Sequence, residues 1–249
     1  MKGYGPETFG TLNAEDYDLL HDPGTTDAAV DLLADLSRDQ RTLELAIGTG
    51  RIALPMARRG CDISGIEASP EMVAKLREKP GGEAIPVTMG DMSEVLADGR
   101  FGFIFLIFNT LFNLTSQEAQ LRCFRNAASM LDPGGAFLVE AFVPDIAQFR
   151  DHRSLKPKHL DRHSLTLEAA IHDPVKQVVE YQYLRFTPEG VRMTPLPMRY
   201  AWPSEIDLMA RLAGLQLESR WGGWDRAAFT ASTRMHISLY RKPAGRQPL

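Results

Sequence analysis

The chain has 249 residues, 44% hydrophobic and 24% charged, with 28 Lys and Arg against 32 Asp and Glu for a net charge of −4. These values suit a folded chain with a full core and exclude disorder as the main state, and the acidic balance gives no general attraction to nucleic acid or anionic lipid. The most apolar run, Phe101 to Phe108, is far too short to span a bilayer, and residues 1 to 10 hold no apolar signal core. The two cysteines, Cys61 and Cys123, show no metal-ligand spacing, so a cytoplasmic protein with reduced thiols and no metal is expected. Residues 14 to 37 carry two helical patterns, through Tyr17, Leu19 and Leu20 and then Ala29, Val30, Leu32, Leu33 and Leu36, with a turn at Asp22-Pro23-Gly24. The apolar run at 42 to 47 ends in Gly48-Thr49-Gly50, and a helix follows over 52 to 59. A second strand over 61 to 66 ends at Glu67, and Ser69-Pro70-Glu71 starts a helix with proline at its first position.

Further strands are expected at 84 to 88, 101 to 108 and 136 to 143, with a helix over 117 to 131 closed by Asp132-Pro133-Gly134-Gly135. Phe101 to Phe108 is apolar throughout, as a central parallel strand covered on both faces should be. Five alternations of strand and helix predict a doubly wound, mostly parallel sheet. After Pro144 the apolar period changes to two, as in Leu165, Leu167, Ala169 and Ile171, and an antiparallel insert of about three strands is expected. A helix over 203 to 212 and strands at 215 to 221 and 235 to 241 complete the chain, with a frayed tail after Pro243.

Gly48-Thr49-Gly50-Arg51-Ile52-Ala53 fits G-x-G-x-x-A, a turn that lets backbone approach a ligand at a helix N-terminus, and Glu67 is placed to hold ribose hydroxyls. Nicotinamide and S-adenosylmethionine sites share both features. Glu44 separates them: a carboxylate inside the first strand is costly without a partner such as a ligand ammonium. Gly90-Asp91-Met92, after the third strand, offers a carboxylate and a backbone N–H to an adenine ring.

Through residues 43 to 50, 65 to 72, 90 to 92 and 131 to 135 the chain resembles the class I S-adenosylmethionine-dependent methyltransferases, in particular their bacterial small-molecule branch. The resemblance implies an α/β, Rossmann-like, doubly wound and mostly parallel seven-stranded sheet with an antiparallel insert after strand 5. It implies one domain: a helical cap over 1 to 40, a cofactor-binding half over 41 to 144, a substrate lid over 145 to 200 and a closing segment over 201 to 242. By position, Glu44, Ala46, Gly48 and Gly50 would contact the cofactor's amino-acid end, Glu67 the ribose, and Asp91 and Met92 the adenine, with Ala68 also among the cofactor-binding residues. Ala46 stands where glycine is commoner, and tighter packing is expected there. Tyr17 resembles an aromatic that closes over the cofactor, the alternative being cover for apolar surface. Phe108 and Asn109 follow the fourth strand, where ligands bind in open parallel sheets; a turn-capping Asn109 is the alternative.

The implied reaction is methyl transfer from S-adenosylmethionine to a nitrogen or oxygen of a small molecule, with neither nucleic acid nor membrane as partner and a homodimer allowed. An oxygen nucleophile would need a base, for which His152, His159, His163 and His172 near the expected lid and His21 after the Tyr17 helix are the candidate histidines. The basic run 150 to 163 reads as a solvated loop or a recruiter of anionic substrate, and Trp202, Trp221 and Trp224 as core or as an aromatic acceptor wall. Two rival readings are a nicotinamide-dependent oxidoreductase on the same sheet and a non-catalytic relative.

Overall fold

The computed structural model describes residues 1–21 and 24–245. The turn expected at Asp22-Pro23 and the end of the tail, 246–249, lie outside the described residues. In chain order the strands are β1 (Thr42–Leu45), β2 (Ile63–Glu67), β3 (Val87–Met89), β4 (Phe101–Leu106), β5 (Leu131–Phe142), β6 (Arg153–Leu160), β7 (Leu165–Asp173), β8 (Val178–Thr187), β9 (Gly190–Arg199), β10 (Gln216–Trp221) and β11 (Met235–Arg241). The helices are α1 (Thr8–Asn13), α2 (Tyr17–Leu20), α3 (Thr26–Ser37), α4 (Ala53–Arg58), α5 (Pro70–Arg77), α6 (Gln117–Met130) and α7 (Pro203–Leu212).

Seven strands form one sheet in the order β10-β11-β5-β4-β1-β2-β3. Strand β1 pairs in parallel with both β2 and β4, so the winding reverses beside it and opens a crevice at the carboxyl ends of the strands. Only β11 runs against its neighbours, pairing antiparallel with β10 and β5. Alternate residues of the central strands feed two cores. Leu43, Leu45, Ile104, Leu106 and Val139 pack with α6 and α7, while Phe103, Phe105, Leu138 and Ile237 pack with α3 and α4. Fully burying a phenylalanine contributes about 1.5–3 kcal/mol. Helix α5 starts as its sequence requires, Ser69 Oγ accepting from Met72 N at 3.2 Å with Pro70 at the first position. The third strand is shorter than expected, because Gly82–Ala84 forms a 3-10 turn whose exit is held by Arg77 donating to Ile85 O at 2.8 Å.

The insert is a second sheet of four strands, order β6-β7-β8-β9, and not three. The additional strand is β6, drawn from the basic run that read as a loop. It pairs with β7 through a bulge between Pro157 and His159. As an exposed edge its charged residues stay in water, which is why its composition mimics a loop. The insert's inner face joins the main core through Ala170, Val179, Tyr181 and Leu196. At its exit, Arg199 pairs with Glu205 of α7 at 2.6 Å and donates to Gln120 of α6 at 2.7 Å. Helix α1 falls within the helical cap implied over 1 to 40, ahead of the two helical patterns read at 14 to 37. It lies so close to α5 that a Cβ on Gly10 would stand 2.3 Å from Ser69 Cβ.

Candidate cofactor cleft

Beyond β1 the chain turns through three left-handed residues, Ala46 (φ 56°), Gly48 (φ 58°) and Gly50 (φ 77°). Glycine adopts this conformation freely, whereas alanine pays about 1–2 kcal/mol. The consequence of alanine at position 46 is therefore conformational strain as well as packing. The turn is tied to the end of β2 by one carboxylate: Glu67 Oε2 accepts from Gly48 N at 2.8 Å, and Oε1 from Ala68 N at 3.0 Å and Ser69 N at 2.9 Å. Burial pushes the Glu67 carboxyl above its usual range, against the pull of those three amides. Beyond β3, Asp91 Oδ1 accepts from Ser93 N at 2.7 Å and Met92 is buried beside it. These three strand ends surround a cleft of about 260 Å³ lined by Tyr17, Ala46, Gly48, Glu67, Ala68, Asp91 and Met92, with Thr110 and Asn113 on the far side.

Four of the residues singled out from sequence do not line that cleft. Gly50 faces inward, where a Cβ would stand 2.3 Å from Leu76 Cδ1, so its role is close packing of the turn on α5. Glu44 is buried behind the wall. Burial raises its carboxyl well above the usual range, partly countered by Arg51, and its Oε2 has no hydrogen-bond partner. Phe108 and Asn109 form a left-handed pair (φ 58° and 59°) clamped to β5. Phe108 N donates to Glu140 Oε2, and Asn109 Oδ1 accepts from Phe142 N at 2.6 Å. The Asn109 side-chain oxygen is thus engaged by β5 and makes no capping hydrogen bond to the turn over 110–113.

Sequence reading missed two charged groups here. The Arg51 guanidinium lies 3.7 Å from the centroid of the Phe108 ring and donates to His21 O at 2.9 Å and Tyr17 Oη at 3.3 Å, joining the N-terminal helices to the glycine turn. Tyr17 in turn stacks on His21 at 5.2 Å. Glu140, with burial as the main cause, has its carboxyl pushed up to about 7. Its signal was present, since a charge inside an apolar strand is the same anomaly that drew attention to Glu44. None of the six histidines lines the cleft. His172 is buried against Phe149 and Tyr200, and His159 pairs at the surface with Asp161. The three tryptophans stay outside it too, Trp221 and Trp224 packing with the core that holds α3 and α4.

Residues 42–135 match a family described as a methyltransferase domain. The chain is 35% identical to the CcbJ methyltransferase from Streptomyces caelestis, covering 97% of this chain and 100% of that one with a TM-score of 0.91. The chain belongs to the class I S-adenosylmethionine-dependent methyltransferases. This methyltransferase is also 27% identical to a cypemycin N-terminal methyltransferase from a Streptomyces species, over 95% of this chain and 99% of the relative. Its fold is shared by the S-adenosylmethionine-bound amino pentose methyltransferase CalS10 from Micromonospora echinaspora, at 18% identity and a TM-score of 0.64 over 88% of this chain and 90% of that one. The family's cofactor is S-adenosylmethionine, which sets aside the oxidoreductase and non-catalytic readings. No helix among the described residues is long and apolar enough to cross a membrane.

Proposed function

We propose that this methyltransferase moves a methyl group from S-adenosylmethionine to a nitrogen of a small natural-product-like acceptor, in the cytoplasm and without nucleic acid as substrate. The observation that carries this reading is the convergence of Ala46, Gly48, Glu67, Ala68, Asp91 and Met92, from three successive strand ends, on one cleft. The donor set fits an adenosyl ligand: Glu67 has lone pairs beyond its three amides for ribose hydroxyls, and Asp91 an oxygen for an adenine amino group. Tyr17, Ala46 and Gly48 would take the amino-acid end, with the Arg51 guanidinium and the unpartnered Glu44 Oε2 behind it. Nitrogen as target is supported by the names of the cypemycin N-terminal and amino pentose relatives. When bound, the cofactor supplies an electrophilic methyl on sulfonium. The protein's task is to hold the nucleophile in line with it at about 3–3.5 Å and to exclude water. The insert suits the role of lid, because β9 packs on the 110–113 turn that borders the cleft. A net charge of −4 and two free cysteines fit the absence of nucleic acid and a reducing compartment.

Calorimetric titration with S-adenosylmethionine and its demethylated product tests the reading. Both should bind the wild type, and Asp91→Ala should weaken both by about 10- to 100-fold, the range for a lost hydrogen bond to a charged group. A folded wild type that binds neither compound would sink it.

A further inference from the structure

The cofactor cleft and a second cavity of about 470 Å³ share two lining residues, Tyr4 and Thr115. The second cavity lies against the insert's outward face, since Ile171, Val178, Glu180 and Pro197 alternate with the core-facing Ala170, Val179, Tyr181 and Leu196. Ile171, Val178 and Pro197 give it an apolar wall, and its rim is ion-paired, Asp173 with Lys176 at 3.3 Å and Glu180 with the Met1 ammonium at 2.7 Å. At the seam, Tyr4 Oη is buried and has no hydrogen-bond partner, and Asn113 Oδ1, on the cleft wall, is likewise buried and unpartnered. Buried polar groups are nearly always paired, so two such atoms bordering one cleft are a signature of groups that a ligand completes.

We infer that this seam is the acceptor site: an aliphatic amine enters from the second cavity, its apolar body against Ile171 and Val178, and its nitrogen is held by Asn113 Oδ1 and Tyr4 Oη. The inference rests on the methyltransferase reading above and adds the residues and the chemical class. An amide oxygen only accepts, so its partner must bring an N–H or O–H. A hydroxyl nucleophile would also need a base, and no histidine lines either cavity. The cleft's carboxylates are engaged elsewhere, Glu67 with three amides, Asp91 with Ser93 and Glu94 with Arg122. A neutral amine needs no base. Its lone pair forms the N–C bond while the C–S bond breaks toward sulfur, leaving a thioether and a methylated ammonium that releases its proton to water.

The test uses the full chain, labelled S-adenosylmethionine and three amines of different origin: alanyl-alanine, prolinamide and glucosamine, each beside its hydroxyl counterpart. Transfer to at least one amine and to no hydroxyl counterpart is expected, with the responding amine distinguishing a peptide N-terminus from a sugar. Tyr4→Phe should raise that amine's KM by about 3- to 10-fold with kcat nearly unchanged, and Asn113→Leu should raise it further, while both bind the demethylated cofactor as the wild type does. Because Tyr4→Phe deletes a buried hydroxyl without a partner, its melting temperature should equal or exceed that of the wild type, which separates acceptor binding from a structural role. Transfer to a hydroxyl, no transfer to any of the amines, or an unchanged KM in Tyr4→Phe overturns the acceptor site while cofactor binding stands. Loss of cofactor binding by the wild type overturns the underlying reading instead.

Discussion

In the seven-stranded sheet, Phe103, Ile104, Phe105 and Leu106 follow one another with almost no solvent contact, whereas in the four-stranded sheet Ala170 and His172 are buried and Ile171 between them is 58% exposed. The first sheet lies between helices on both faces; the second has one face on the core and one outward. The outward face is nonetheless apolar in places, with Leu155 66% and Met193 59% exposed. The consequence is functional. A doubly covered sheet holds its strand ends rigidly enough to fix a cofactor cleft by turn geometry, while a singly covered one is held over the site by its inner apolar face and by polar ties such as Arg199 to Glu205 and Gln120.

Three measurements sharpen or break that contrast. The largest effect is expected at Glu140, inside the doubly covered sheet, whose carboxyl is raised from 4.5 to about 7 by burial, with the Phe108 amide and Arg51 opposing. The folded state therefore binds this proton more tightly than the unfolded one, and the stability it contributes is full below pH 4.5 and lost as pH rises to about 7. Glu140→Gln should match the wild type in urea unfolding at the acid end and exceed it by about 2–3 kcal/mol above neutrality. Equal stability at both ends would mean that water reaches this carboxylate. A smaller gain is expected at the cleft's own turn: Ala46→Gly relieves a left-handed alanine and should stabilise by about 1 kcal/mol, less the greater freedom of glycine in the unfolded chain. Destabilisation there would show that the Ala46 methyl earns more in packing than its backbone conformation costs. The smallest effect belongs to the insert's outer face, where Ile171→Thr should change stability by less than about 0.5 kcal/mol. A loss above about 1 kcal/mol, with a melting temperature that depends on protein concentration, would show that a second copy covers this face.

The cofactor half was legible in the sequence because its signals are local. A short, mostly apolar strand, a glycine turn and a proline-started helix each declare themselves within ten residues, and Glu67, Asp91 and Met92 sit at fixed offsets from strand ends. Glu44 was legible as an anomaly, although its neighbour across the wall, Arg51, was not: an arginine in a turn is ordinary until the fold lays it on Phe108 and Tyr17. Strand β6 was misread because an exposed edge strand and a solvated loop want the same charged residues.

What the sequence determined by itself, then, was the alternation of strand and helix, the direction of the sheet and the identity of the three turns that meet at the cleft, since each follows from the backbone preferences and apolar period of a short stretch. Which of those side chains face the cleft was decided only by tertiary structure. Gly50 turns inward onto Leu76, Asn109 is spent on Phe142, and Tyr4 and Asn113, more than a hundred residues apart, border one cleft. Facing depends on what lies across the gap, and that is fixed by packing between segments distant in the chain.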